Sequence, residues 1–237
     1  MVLRGARYAA AQYHPSACII GEPSGVDGIT LGYKGRLLVE AHFEQPSHHS
    51  ALSGPAASEQ AIQLWNWLDD LARTYNTGKP KAYDQLMPAL RQINSGDDGL
   101  REWCNLLISL RLPMELTPQE VQARFEAWAA ERSESLILPD LNFRGHEVAY
   151  RSMRDTTLAH AFVDAIRAEG LRPAFKLKTG TADLNVVGPV WQCPIVAYGP
   201  GDSSLDHTPS EHISIAEFDR SVRVLTHVIQ HLTSGAV

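Results

Sequence analysis

The apolar residues of this chain recur at helical spacing in four stretches. The first stretch predicts one apolar helix face formed by Ala57, Ala61, Leu64, Trp65, Leu68 and Leu71. Thr117-Pro118-Gln119-Glu120 has the sequence of a capping box with proline at the first helical position, which predicts the start of a second helix. Two further helices are predicted at 156–169 and 215–232.

Between the helices, shorter apolar runs predict strands in the middle of the chain. Residues 29–43 alternate well enough for a strand or hairpin, with Gly32 and Gly35 marking a bend. Three more strands are predicted near 84–93, 102–111 and 135–144. The order strand, helix, strand, strand, helix, strand is that of a ferredoxin-like βαββαβ sandwich.

The two ends of the chain follow a different pattern. Short strands alternate with helices there, which favours an α/β unit with a largely parallel sheet. We therefore predict one α/β domain formed by residues 1–27 and 150–237, with residues 28–149 inserted into it. The predicted strands of the α/β domain are 17–20, 172–177 and 194–198.

Composition narrows the function classes. The chain has 237 residues, of which 44% are hydrophobic and 20% are charged, as in ordinary globular proteins. A net charge of −6 and the lack of a basic stripe argue against nucleic acid as a partner. No apolar run has the length of a membrane span. The three cysteines form no C-x-x-C pair, which favours a reducing cytoplasm over a disulfide scaffold.

Two loops carry side chains that suit a metal. Glu22 lies between glycine and proline after a predicted strand, and His212 precedes the last predicted helix. Taken singly, Glu22 is more often a loop acid and His212 a capping or packing residue. Carboxylate and imidazole together suit zinc or a similar divalent ion. In the predicted domain, loops 21–25, 179–183 and 198–212 gather at one sheet edge, where open α/β folds bind ligands.

Four ordered motifs together resemble the M20 metallopeptidase family. They are Gly21-Glu22-Pro23-Ser24, Ser47-His48-His49-Ser50-Ala51, Lys178-Thr179-Gly180-Thr181-Ala182-Asp183 and Glu211-His212-Ile213. Residues 29–35 and 198–209 resemble the subgroup that releases lysine or ornithine from the amino-group carrier protein LysW. The resemblance implies a zinc-peptidase-like α/β catalytic domain with an inserted ferredoxin-like lid and dimerisation domain. It also implies metal-dependent hydrolysis of an amide bond on lysine or ornithine.

The resemblance extends to individual residues. Glu22 resembles a carboxylate that binds one ion of a two-zinc site, in which Co²⁺ is possible, and His212 resembles the histidine ligand of the other ion. His49 resembles the lid residue that reaches across a homodimer to stabilise the oxyanion. The alternative interpretation, a solvated loop histidine, applies at least to the neighbouring His48. The substrate-side residues implied in the same way are Arg111, Lys178, Thr181, Asp183, Asn185 and Gly201.

Two of these substrate-side residues keep an alternative interpretation. Arg111 resembles an arginine that grips the substrate carboxylate, a task that suits a bidentate guanidinium, but it also fits an ordinary surface position at a strand end. Lys178 is either a contact to the bound amino acid or a solvated strand end. Docking of an acidic carrier protein would require a local basic patch, for which the candidates are Lys34, Arg36, Lys176 and Lys178.

The family's remaining site residues lie upstream of the region that Gly5-Ala6-Arg7 resembles. These are a histidine ligand, a bridging aspartate and a Glu-Glu pair that supplies the general base and a ligand. We therefore expect this chain as written to bind metal poorly and to turn over nothing alone. Two alternatives are a non-catalytic chain that dimerises or regulates, and a deacetylase of N-acetyl amino acids.

Overall fold

The computed structural model describes residues 3–47, 54–132 and 138–234. Contacts divide the chain into two compact units, Met1–Tyr33 with Tyr150–Val237, and Lys34–Ala149. The sequence assigned residues 28–33 to the inserted domain. That boundary is corrected, because these residues form a strand in the sheet of the first unit.

The helices are α1 (Arg4–Gln12), α2 (Ala57–Asn76), α3 (Pro118–Ala130), α4 (Thr157–Ala168), α5 (Leu184–Trp191) and α6 (Ile215–Thr233). The strands are β1 (Cys18–Gly21), β2 (Gly28–Tyr33), β3 (Gly35–Pro46), β4 (Met87–Asp97), β5 (Arg101–Leu112), β6 (Asp140–Glu147), β7 (Tyr150–Arg151), β8 (Ala174–Lys178) and β9 (Ile195–Tyr198). Within the three described ranges, no helix is both long enough and apolar enough to cross a membrane.

The first unit has a mixed sheet with helices on both faces. β1 runs parallel to β9 and β2 runs parallel to β8, but β2 is antiparallel to both β9 and β7. The predicted parallel pairing is therefore confirmed for the two longer pairings, while the short antiparallel pairings of β2 with β7 and β9 were not predicted. Alternate residues of β9 face opposite cores: Val196 and Tyr198 join the core with α4 and α6, while Ile195 and Ala197 join the core with α1 and α5. Both faces of this strand are therefore buried.

The second unit confirms the predicted βαββαβ order. β3, α2, β4, β5, α3 and β6 follow one another, and the antiparallel sheet has the order β4-β5-β3-β6. Every second residue of β3 is buried, as in Leu37, Val39 and Ala41, so one face of the sheet packs against the helices. The predicted capping box also forms, since the side chains of Thr117 and Glu120 each accept a hydrogen bond from the other residue's backbone N–H.

α5 is a helix that the sequence pattern does not predict. It contains Gly188 and Pro189, which favour a loop over a helix. The structure requires glycine here, because a Cβ at Gly188 would lie 2.5 Å from the ring of Tyr150. Close packing of the helix against β7 therefore overrides its poor local propensity.

Lys34 is buried and cannot belong to a basic docking patch. Its side chain is 0% exposed, and its Nζ donates to the carbonyl oxygens of Ala82 at 2.8 Å, Tyr83 at 3.1 Å and Gln85. These bonds replace the hydration that burial removes from the ammonium group. Lys34 therefore fixes the start of the second unit to the turn before β4.

Truncation of a core residue on α2 tests the packing of the second unit. Leu64 is 0% exposed, so Leu64→Ala should lower the free energy of unfolding by about 2–5 kcal/mol. Ile62 lies on the same helix with 47% of its surface exposed, so Ile62→Ala should change it by no more than about 0.5 kcal/mol. Urea unfolding followed by tryptophan fluorescence reports this unit, because four of the five tryptophans lie in it. Equal effects of the two variants would contradict the predicted burial.

Candidate functional site

The parallel pairing of β1 with β9 brings two candidate site loops together. Gly21, the last residue of β1, is in register with Tyr198, the last residue of β9. Beyond the strands, Ser24 N–H donates to the carbonyl of Gly199 at 2.8 Å, and Gly25 N–H donates to that of Gly201 at 3.0 Å. The loop that carries Glu22 therefore adjoins the start of the 198–212 segment, as the sequence predicted.

The close approach of these loops depends on glycine. A Cβ at Gly199 would lie 2.9 Å from the carbonyl oxygen of Glu22. Gly201 has a φ of +93°, which disfavours any residue with a side chain. The two glycines thus allow the backbones to run side by side at the position of the proposed metal ligand.

β8 reaches the Glu22 loop with its side chains. Lys176 Nζ donates to the carbonyl of Ser24 at 2.7 Å, and Lys178 Nζ donates to that of Pro23. Since β8 is parallel to β2, and β2 is antiparallel to β9, the 179–183 loop leaves the sheet in the opposite direction to the loops after β1 and β9. The 179–183 segment nevertheless lies near the Glu22 loop, because Lys178 bonds the carbonyl of Pro23 and the charge of Asp183 acts on Glu22. Lys178 therefore holds backbone rather than pointing into solvent.

Glu22 lies among charged side chains from several elements. It is half-buried, and burial is the main cause that raises the pKa of its carboxyl group. Lys178 and His207 oppose the increase, while Asp183 and Asp206 add to it. Burial therefore outweighs the nearby positive charge, and the Glu22 carboxyl group keeps its proton to higher pH than an exposed glutamate does.

His212 is held in one tautomer by its own loop. Its Nδ1 lies 2.8 Å from the carbonyl oxygen of Ser210. A carbonyl can only accept, so Nδ1 carries the proton and Nε2 keeps a lone pair that can bind a metal. The ring is exposed, and no hydrogen bond or ion pair joins His212 to Glu22 in the described part of the chain. The convergence of Glu22 and His212 therefore stays a prediction.

The described residues do not contain a complete metal site. Within residues 3–47, 54–132 and 138–234, no group of three or more histidine, cysteine, aspartate or glutamate side chains is placed to hold an ion. The donor chemistry of Glu22 and His212 nevertheless suits zinc. His49, with His48, lies outside the described residues.

The predicted substrate-side residues of the first unit occupy different environments. Asn185 is 2% exposed, and its side chain accepts from Ala182 N–H at 2.9 Å and donates to the carbonyl of Tyr33 at 3.3 Å. It therefore holds the start of α5, and its contact with substrate stays a prediction. Thr181 and Asp183 are half-buried on the same segment.

Arg111 lies in a cluster of arginines in the second unit. It stands opposite Arg36 in the β3–β5 pairing, and Arg36 bonds Glu147 at 3.0 Å. Burial is the main cause that lowers the pKa of Arg111, and Arg36 and Arg91 lower it further. A concentration of guanidinium groups with one carboxylate suits a bound anion, which supports the carboxylate-binding interpretation over a plain surface position.

Two residues near the site were not identified from the sequence. Tyr33 is 3% exposed and its hydroxyl has no hydrogen-bond partner in the described structure, while burial, Glu22 and Asp206 all raise its pKa. Glu217, in the first turn of α6, accepts hydrogen bonds from Val26 N–H and Gly201 N–H. The first looked like an ordinary strand residue and the second like an ordinary helix-start acid, so neither carried a sequence signal.

Adding a methyl group at Gly199 tests the close approach of the two loops. Gly199→Ala should displace the backbone of Glu22 and destabilise the chain by about 1–3 kcal/mol, since this packed contact cannot accept a Cβ. Gly21→Ala is the matched control, because no atom lies within 4 Å of the position that its new Cβ would take. Amide chemical shifts of residues 22–25 and urea unfolding measure the two effects. Indistinguishable variants would show that the loops do not touch as described.

The raised pKa of Glu22 predicts a pH-dependent stability. The folded chain keeps this proton to higher pH than the unfolded chain, so the cost of ionisation is absent below the unfolded pKa and is fully present above the folded one. With EDTA present, Glu22→Gln should raise the free energy of unfolding at about pH 7 but not at about pH 3. The exposed Asp219→Asn should show no such gain. A less stable Gln variant at neutral pH would mean that Lys178 stabilises the carboxylate more than burial disfavours it.

Comparison with known proteins gives matches along almost the whole chain. Residues 2–231 match the model of peptidase family M20/M25/M40. The LysW-lysine hydrolase of Deinococcus radiodurans is 41% identical over 235 residues, which cover 98% of this chain and 64% of that protein. A putative LysW-lysine/LysW-ornithine hydrolase of Thermococcus kodakarensis is 36% identical, over 92% of this chain and 56% of that protein. The chain thus spans less than two thirds of the length of these relatives.

Solved structures agree in fold at low sequence identity. A tripeptidase from Staphylococcus aureus superposes with a TM-score of 0.74 at 13% identity, covering 96% of this chain and 60% of the other. The di-peptidase Dug1p from Saccharomyces cerevisiae gives 0.70 at 13% identity, covering 99% and 63%. Together with the match to the family model, these similarities identify the α/β unit and the βαββαβ unit as parts of one known architecture. The chain belongs to peptidase family M20/M25/M40.

Proposed function

We propose that this chain takes part in metal-dependent hydrolysis of an amide bond on the amino group of lysine or ornithine, releasing the amino acid from a LysW-like carrier protein. Family membership supports hydrolysis, and the names of the relatives support this substrate class. The observation that carries the proposal is the arrangement at Glu22. Its half-buried carboxylate adjoins the segment that leads to His212, whose Nε2 keeps a lone pair.

In this proposal, Glu22 and His212 hold zinc ions, with Co²⁺ as a possible substitute. When bound, zinc supplies Lewis-acid polarisation of a carbonyl oxygen and a lowered pKa for water. Zinc takes about four ligands, so each ion needs donors in addition to these two side chains. We therefore propose that the 237-residue chain alone binds zinc weakly and turns over little substrate.

The other predicted residues bind and orient the substrate. Arg111, beside Arg36 and Arg91, binds the substrate carboxylate through a guanidinium fork. His49 of a neighbouring copy donates to the carbonyl oxygen as negative charge develops on it, which requires a homodimer. Lys178 acts indirectly, because its bond to Pro23 fixes the backbone next to Glu22.

A chimera tests the proposed reaction. In it, this chain replaces the matched region of the D. radiodurans relative, and release of lysine from the carrier-linked substrate is measured with zinc and with EDTA. The chimera should be active with zinc only. His212→Ala should lower kcat/KM at least about a hundredfold, because a lost ligand removes several kcal/mol of charge stabilisation. His227→Ala is the matched control, since His227 is exposed on α6.

The outcomes separate the alternatives. Zinc-dependent release that is lost in His212→Ala but kept in His227→Ala supports the proposal. Cleavage of N-acetyl-lysine in preference to the carrier-linked substrate would replace the proposed substrate with a plain acetyl amino acid. A folded, dimeric chimera without zinc-dependent hydrolysis of either substrate would contradict a catalytic role and favour a non-catalytic chain.

A further inference from the structure

Glu217 joins three segments of the first unit through one oxygen atom. Its Oε1 accepts a hydrogen bond from Val26 N–H at 3.0 Å and another from Gly201 N–H at 3.0 Å. Val26 follows the Glu22 loop, Gly201 follows β9, and Glu217 itself belongs to the first turn of α6. A single carboxylate therefore links the end of the Glu22 loop and the start of the 198–212 segment to the helix that follows His212.

The chemistry of this contact makes it stronger than an ordinary turn hydrogen bond. A carboxylate forms charge-assisted bonds with N–H donors, and these exceed bonds between neutral groups. The first turn of a helix also favours negative charge, because its backbone N–H groups carry partial positive charge. Both donors are partly buried, so removing the acceptor would leave two N–H groups unpaired.

The position of Glu217 in the chain connects the two proposed metal ligands. His212 lies shortly before Glu217 in sequence, and Glu22 lies shortly before Val26. The side chain of Glu217 therefore ties the segment that carries the imidazole to the loop that carries the carboxylate. The direct loop contacts, Ser24 with Gly199 and Gly25 with Gly201, do not reach α6.

We infer that Glu217 is a positioning residue, which sets the distance between the Glu22 loop and the His212 segment so that both can face the same substrate. This inference rests on the proposed function, which assigns Glu22 and His212 to the metal site. Glu217 touches neither substrate nor metal in this role. It acts through the backbone of Val26 and Gly201.

Native-state hydrogen exchange of the 237-residue chain tests directly the two hydrogen bonds that Glu217 accepts. Glu217→Ala should speed exchange of the Val26 and Gly201 amides at least about tenfold, since each loses a bond to a charged acceptor. Exchange in β5, which lies in the other unit, should stay unchanged. Glu217→Gln should speed exchange of both amides less than Glu217→Ala does, because its Oε1 can still accept both bonds but without the negative charge. Asp219→Ala, an exposed acid on the same helix, should change neither amide.

Activity of the chimera described above separates positioning from simple stabilisation. Glu217→Ala should lower kcat about 10–100-fold, as expected when support of a metal ligand is lost, and Glu217→Gln should restore most of it. Unchanged exchange at Val26 and Gly201, uniform acceleration across both units, or no rescue by glutamine would overturn the inference. If both Glu217 hydrogen bonds are intact in a chimera that hydrolyses nothing, the result would instead overturn the proposed function.

Discussion

The parallel pairing of β1 with β9 is the constraint on which the candidate site depends. It joins residues from the two ends of the sequence, and its register places the loop after Gly21 beside the loop after Tyr198. Neither strand is long, so the pairing is supported by the burial of β9 on both faces. Without that core, nothing in the local sequence would bring Glu22 near the 198–212 segment.

Backbone groups of the Glu22 loop are bonded from several directions. Lys176 and Lys178 bind carbonyl oxygens of the loop, and Glu217 binds an N–H group at its end. The lysine ammonium groups thus donate to carbonyl oxygens, and the Glu217 carboxylate accepts from N–H groups, so each charge has the sign that strengthens its hydrogen bond. The loop is held by its backbone while the carboxylate of Glu22 stays available, which is the arrangement a metal ligand requires.

The sequence predicted the second unit well for physical reasons. Its helices have clear apolar faces, and the capping box at Thr117 marks a helix start that the structure confirms. Strand alternation in β3 was visible because one face of that sheet is buried and the other is not. The boundary at β2 was missed, because residues 29–43 were interpreted as one strand or hairpin with a bend. In the structure β2 is buried throughout and joins the first unit, whereas β3 is buried at alternate residues and joins the second.

The sequence likewise indicated some of the candidate site residues and missed others. Glu22 and His212 could be proposed as ligands because motifs and loop residues surround them, whereas the hydrogen bonds of Glu217 join segments that are distant in sequence. Lys178 was recognised as important, but its bond to a backbone carbonyl could not be predicted from a strand-end position. The antiparallel pairing of β2 with β9 was not predicted, because alternating helices and strands do not reveal which strand pairs antiparallel. Strand directions and side-chain contacts with distant backbone thus depend on tertiary structure, which local sequence patterns do not specify.

We propose that Glu22 and His212 face one metal-binding cavity. Anomalous X-ray diffraction at the zinc edge, from crystals of the chimera grown with zinc, tests this most directly. We expect zinc peaks about 2.0–2.2 Å from a Glu22 carboxylate oxygen and from His212 Nε2, within a single two-ion site. Zinc bound elsewhere, or the two side chains on separate surfaces of the unit, would contradict it.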